Sequence, residues 1–358
     1  MKIIDHPSTQ IAPELVYALR KLAGEAEQIK KMHPAQLAIV REQKWFQLFV
    51  PAQYKGLQLS LLRALRLEES IAWADGSVGW TVTLCAGAGW FIGFLNPALA
   101  AAIFDGNKVC LSGSGKATGI ATRMANGKYE ITGCWDYATG SHCATAFTAN
   151  CVIEEEGVVV NNTAGDPLVQ SFLFLENEVT VHENWKRIGM IATGSNSFEV
   201  NNLVVDENRT FLVNPAYATL KDPVYQFPFL QFAESTLAIN HSGMAIRFLD
   251  LCKLLFALKS TLHMQHLLNT SLKEMEVARQ LFYNTIAISA EAASSVYSIT
   301  PKLLQQVSAV SKQLAITSRN IVDALYPYCG MQAANPETEI SRVWRNLHTA
   351  TQHSMFNG

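Results

Sequence analysis

The sequence predicts an α+β protein in three parts: an N-terminal helical domain over residues 1–108, a middle β domain over 109–215 and a C-terminal helical bundle over 216–358. Apolar residues recur at three- and four-residue spacing up to residue 105. They then alternate through segments rich in β-branched and aromatic residues, and return to helical spacing from about residue 229 to the end. A stretch with three prolines, VNPAYATLKDPVYQFPFLQF, separates the second and third parts.

In the first part, APELVYALRKLAGEAEQIKKM and LSLLRALRLEESIAWAD each carry a helical stripe, with the loop FVPAQYKGLQ between them. Residues 76–104 contain no charged side chain, a length that could span a membrane. Internal glycines and the Asn96-Pro97 break point instead to two packed helices. In the middle part, Asn126-Gly127 between alternating segments signals a hairpin. The segments SFLFLENEVTVHENW and SFEVNNLVVDENRTF read as strands, of a β-barrel or sandwich. The last part divides into helices over 229–258, 264–297, 301–325 and 337–355, with Thr300-Pro301 as cap and first turn of the third, which predicts a four-helix bundle.

Composition narrows the function. The chain is 49% hydrophobic and only 16% charged, so some apolar surface is expected between subunits, as in a homotetramer. A net charge of -2 and a pI near 6.5 offer nucleic acid and anionic lipid no global attraction. The seven cysteines are odd in number and contain no CxxC pair, which fits reduced thiols in a cytoplasmic protein without structural zinc. The amino terminus shows no apolar signal region, so secretion is not expected.

Two tempting motifs fail. GSGKATG at 113–119 lacks the first glycine and the hydroxyl of a phosphate loop and precedes no helix. His263 and His266 have metal-ligand spacing but no third ligand, so they read as surface residues. The terminal segment RVWRNLHTATQHSMFN is richer. On a continuous helix Arg342, Arg345, Asn346, Thr349 and His353 share one broad face flanked by His348, which could line a pocket.

The ordered motifs resemble the acyl-CoA dehydrogenase superfamily over roughly residues 10–356. LFVPAQYKGLQLSLLRALRLEESIAWADGSVGW is similar to its N-terminal region; LSGSG and YEITGCWDYATG are similar to its flavin-proximal strands; WKRIGMIATGSNSFEVNNLVV is similar to its closing β segment. The terminal segment resembles that of the flavin-dependent monooxygenase branch. The resemblance implies a flavin, FAD or FMN, held by Ser112, Ser114, Trp135, Tyr137, Thr139 and Gly140. Trp135 would wall the ring, and hydroxyls and amides would meet its edge.

The resemblance also implies a function: a flavin-dependent oxidoreductase, a reduced-flavin monooxygenase acting on a small apolar or aromatic substrate with a separate flavin reductase. His353 would be donor or base, His348 a second candidate, and Ser141 would lie near the flavin edge. Arg345 and Asn346 would orient substrate or helix. Three departures bear on this. Ser354 stands where dehydrogenases of this type place a glutamate base, leaving Glu234 as the remaining nominee. KLLFALKSTLH lacks the arginine and glycine of the FAD-binding turn. Ala88 replaces a histidine common in the oxygenase branch. The alternatives are an acyl-CoA dehydrogenase with a relocated base and a catalytically silent flavin-binding protein.

Overall fold

The computed structural model describes residues 4–106, 108–294 and 299–356. Its first third holds α1 (Pro13–Lys21), α2 (Ala23–Gln28), α3 (Pro34–Glu42), α4 (Leu61–Ala74), α5 (Gly76–Gly89) and α6 (Pro97–Phe104). The stretch read as one opening helix divides at Leu22, a bend that lets Leu19 and Ala26 both turn inward. Asp75 ends α4 in an extended conformation and starts α5, its carboxylate accepting from Val78 N at 2.8 Å. Asn96 caps α6 just before Pro97, as the dipeptide implied. The uncharged window Gly76–Phe94 is long and apolar enough to cross a membrane, yet 83% of it is buried inside the protein, which accounts for its composition.

Eight strands follow: β1 (Leu111–Arg123), β2 (Tyr129–Ala138), β3 (Ala146–Glu155), β4 (Val158–Val159), β5 (Val169–Leu175), β6 (Thr180–His182), β7 (Asn196–Val205) and β8 (Thr210–Phe211). They form one sheet in the order β6-β7-β2-β1-β3-β5-β8, with β4 beside β3. β1 and β2 are an antiparallel hairpin turning at Gly127, φ +80°, while β1 and β3 run parallel. β2 and β5 are three strand spacings apart, about 14 Å in a flat sheet. Their rings nevertheless touch, Trp135 on Phe174 at 5.8 Å and Tyr129 on Phe172 at 5.2 Å between centroids, so the sheet curls around its own core. The tempting GSGKATG lies within β1, and its register with β3 shifts between Ser114 and Gly119.

The last third contains α7 (Phe229–Leu258), α8 (Leu262–Ser294), α9 (Pro301–Leu325), the short α10 (Met331–Ala334) and α11 (Glu339–Ala350). The expected end of the second bundle helix at 297 lies outside the described residues. α7 is buried around most of its circumference, which its lack of a polar stripe anticipates. It packs on α4 and α5 as well as on α8, α9 and α11, so both helical parts share one apolar core from Ile11 to Ala350. A buried polar knot ties them. Glu69 of α4 accepts from Arg279 at 2.8 Å, Tyr283 at 2.9 Å and Ser242 at 2.5 Å.

One expectation is corrected here. α11 does not run to 355: Gln352 N and His353 N bond back to Thr349 O and Ala350 O, tightening the chain out of the α-helix before a 3-10 turn at Ser354–Phe356. His353 therefore leaves the helical face on which Arg345 and Asn346 lie.

Candidate active site

Where α5 and α7 meet the inner ends of β1 and β3 they enclose a cavity of about 300 Å³. One wall is sheet. Ser112, Ser114, Thr148 and Asn150 project from β1 and β3, and Thr139 closes it from the turn after β2. The Ser112 hydroxyl donates to Thr139 O at 2.8 Å, and Thr139 Oγ1 shares a hydrogen bond with Ser195 Oγ at 2.8 Å. Asn150 Nδ2 donates to Gly115 O at 2.8 Å, while its Oδ1 accepts from Ser171 at 2.7 Å. Among the described residues Gly115–Thr118 have no register partner in β2 or β3, and of these four Gly115 lines the cavity.

The opposite wall is helical and mostly apolar. Leu84 and Ala88 of α5, Phe91 after it, and Phe229, Phe232 and Leu237 of α7 supply it, with Thr83 and Thr236 as its hydroxyls. His353 and Met355 close one end. The His353 ring stands edge-on to Trp80 at 6.0 Å, and Met355 N donates to its Nδ1 at 3.4 Å, which leaves the neutral ring's proton on Nε2. Burial pushes its pKa below the ordinary imidazole value, so it is neutral at pH 7. Among the described residues lining the cavity, His353 is the one imidazole, and none is a carboxylate.

Of the residues nominated from sequence, this cavity brings together Ser112, Ser114, Thr139 and His353. Others lie elsewhere. Trp135 does not wall the cavity: odd positions of β2 face the core, and its ring is fully buried, stacked on Phe198 with its indole N–H on Asn150 O at 3.0 Å. Tyr137 would follow it inward by parity. Its φ of +68° turns it out instead, 49% exposed and edge-on to Trp185. Gly140 and Ser141 sit behind Thr139. Gly140 takes φ +75°, and Ser141 donates to Gly194 O at 2.8 Å.

The α11 nominees are structural. Both ring nitrogens of His348 are engaged, one with Trp344 O at 2.8 Å and one with Asp323 at 2.7 Å, away from the cavity. Arg345 grips Glu27 at 2.9 and 3.1 Å and donates to Ile188 O at 2.7 Å. Asn346 Oδ1 accepts from Met190 N at 2.6 Å. These two orient the helix and do not line this cavity. Glu234 is buried with Lys312 4.0 Å away and does not line the cavity, and Ser354 is exposed. His263 and His266 are exposed, His263 bonding Tyr328, and no metal-holding cluster occurs among the described residues. Sequence reading missed Thr83, Thr148, Asn150 and the four phenylalanines Phe91, Phe211, Phe229 and Phe232. A signal existed in TVTLCAGAG, where Thr83 and Gly87, and Leu84 and Ala88, at four-residue spacing mark one face with a hydroxyl and little bulk.

Residues 255–358 match the family model for the acyl-CoA dehydrogenase C-terminal domain. The chain is 23% identical to indole-3-acetate monooxygenase of Pseudomonas putida over 321 residues, covering 87% of this chain and 80% of that protein. It is also 23% identical to the flavin-dependent monooxygenase oxygenase subunit HsaA of Rhodococcus jostii, over 95% and 92% of the two chains. The crystal structure of 3-HSA hydroxylase from Rhodococcus sp. RHA1 superposes with a TM-score of 0.89 at 20% identity, over 99% of this chain and 94% of that one. Its helical, sheet and bundle parts follow one another in this same order, so the chain has an acyl-CoA dehydrogenase-like fold, with the C-terminal domain of that family matched over its last third.

Proposed function

We propose that the chain is the oxygenase component of a flavin-dependent monooxygenase, taking reduced flavin from a separate reductase and acting on a small, largely apolar aromatic substrate. One observation carries this reading against the dehydrogenase alternative: the cavity offers a neutral imidazole and no carboxylate. Removing a weakly acidic proton from carbon needs a strong, well-placed base. Oxygen chemistry on reduced flavin asks instead for a dry pocket and a hydrogen-bond donor, which His353 and the phenylalanine wall supply.

The sheet wall suits a flavin. Ser112, Ser114 and Thr139 line it with hydroxyls, and Gly113 and Gly115 let the ring approach the β1 backbone closely. When bound, the flavin supplies the electrons that activate O2. The protein's share is to hold it against these hydroxyls, exclude water and exchange a proton at His353 Nε2. Gly140 and Ser141 act behind Thr139, fixing its turn.

Two further points belong to the same reading. Val277, Leu281 and Ile288 make an exposed apolar stripe on α8, 62, 53 and 58% accessible, which supports a homotetramer. All seven cysteines are free thiols, two pairs of them within 3.5 and 3.8 Å, which supports a reducing, cytoplasmic setting.

The test is anaerobic and aerobic mixing. Purified protein is expected to bind FMN or FAD, to leave the oxidised flavin unbleached by acyl-CoA thioesters, and with reduced flavin to oxygenate an arene in air. Bleaching by a thioester would restore the dehydrogenase; binding no flavin in either oxidation state would leave a silent protein.

A further inference from the structure

Thr83, on the helical wall, is unlike the other hydroxyls around it. Thr81 donates to Ser77 O at 2.8 Å and Thr236 to Ala233 O at 3.1 Å, each satisfied within its own helix. No such bond holds Thr83 among the described residues. Its oxygen accepts from Asn240 Nδ2 at 2.6 Å, one turn along α7 from Thr236, while the cavity lies on its other side.

The group behind it is equally unusual. Glu68 is fully buried, and neither carboxyl oxygen has a hydrogen-bond partner among the described residues, whereas the adjacent Glu69 is saturated by Arg279, Tyr283 and Ser242. Burial drives the Glu68 pKa well above the usual carboxylate range, which favours its neutral acid form; the nearby Thr83 hydroxyl offsets part of that rise without closing a bond of ordinary geometry. Asn240 Oδ1 is unpartnered as well. Buried polar groups left unpaired are rare, and three of them converging beside a cavity require an explanation.

We infer that Thr83, set by Asn240 and Glu68, is a specificity contact that donates a hydrogen bond to an oxygen or nitrogen acceptor on an otherwise apolar aromatic ligand. The inference rests on reading this cavity as the substrate site. A hydroxyl oxygen has two lone pairs. Asn240 donates into one, and a small rotation of the neutral Glu68 places its O–H on the other. With both lone pairs taken, the hydroxyl hydrogen is what Thr83 has left to offer the cavity, on a stretch of wall that Leu84, Phe232 and Leu237 make apolar. Asn240 and Glu68 are positioning residues; Thr83 alone touches the ligand.

Quinoline and naphthalene test this, being matched in shape and differing in one acceptor nitrogen. Calorimetric titration of the purified chain, with and without FMN, gives both affinities for the parent, Thr83→Val, Thr83→Ser and Asn240→Leu. Thr83→Val is expected to weaken quinoline about fivefold or more, the worth of one neutral hydrogen bond, and to leave naphthalene within about twofold. Thr83→Ser should restore quinoline binding, and Asn240→Leu should weaken quinoline alone, a selectivity that a general packing defect would not produce. Equal losses for both probes, no loss for either, or no quinoline binding to the parent overturns the inference. FMN binding without the selective loss removes this contact and spares the proposed function; the selective loss without flavin binding does the reverse.

Discussion

The two walls of the cavity differ in how completely their polar groups are paired. On the sheet wall Ser112, Thr139, Thr148, Asn150 and Ser171 all bond to protein partners, and the network continues through Ser195 to Thr193. The helical side keeps polar atoms with none among the described residues: both oxygens of Glu68, Asn240 Oδ1 and, at the next position, His241 Nε2. A saturated wall is rigid and suits a ligand that never changes, such as a cofactor. An unsaturated wall is completed by what binds, and there substrate selection is expected.

Breaking the sheet wall should have the largest effect. Gly140→Ala forces a side chain onto a φ of +75° and drives its Cβ to 2.6 Å from Cys85 Sγ, directly behind Thr139. A loss of about 3 kcal/mol in stability is expected by urea denaturation, together with weakened flavin binding. Unchanged stability would mean that the turn is not held as tightly as its hydrogen bonds imply.

The helical wall should respond to pH with two opposite signs. Burial pushes the His241 pKa down to about 4. In the unfolded chain the imidazole takes up a proton near pH 6.5, which the folded form refuses until about pH 4, so this stability is complete above 6.5 and drains as pH falls. The full loss is about 3 kcal/mol. Glu68 behaves inversely: its raised folded pKa makes its contribution complete in acid and smaller as pH rises through the carboxylate range. His241→Gln should therefore flatten the acid limb of a urea-midpoint series, and Glu68→Gln should raise the midpoint at neutral pH only. A gain for Glu68→Gln in acid as well would contradict the neutral-acid assignment.

The closing end of the cavity comes next. His353→Ala is expected to cut oxygenated product at least about tenfold and raise hydrogen peroxide correspondingly, with flavin affinity changed less than about threefold. His348→Ala should leave this ratio alone. The smallest effect is expected there, about 1 kcal/mol of stability from the lost Asp323 bond and Trp344 stacking. Equal uncoupling in both variants would remove the distinction that the end of α11 draws between the two histidines.

Much was legible in the sequence because it depends on neighbours along the chain. Periodicity placed α7 at Phe229–Leu258 and α9 at Pro301–Leu325, and Asn126-Gly127 marked the β1–β2 hairpin. The resemblance to the acyl-CoA dehydrogenase superfamily nominated Ser112, Ser114, Thr139 and His353, which do meet in one cavity. Tertiary structure decided what two distant segments do to each other. Tyr137 has the right spacing for the interior, yet a positive φ turns it out, and its neighbour Trp135 is drawn into the core by the curl of the sheet. Arg345 and His348 look alike on a helical wheel and are spent on Glu27 and Asp323, residues hundreds or tens of positions away. The contrast between Glu68 and Glu69 is the clearest instance. Side by side in sequence, they differ because successive helical residues point about 100° apart. One meets Arg279 and the other meets no hydrogen-bond partner among the described residues, and only the packing of α4 against α7 and α8 could decide which.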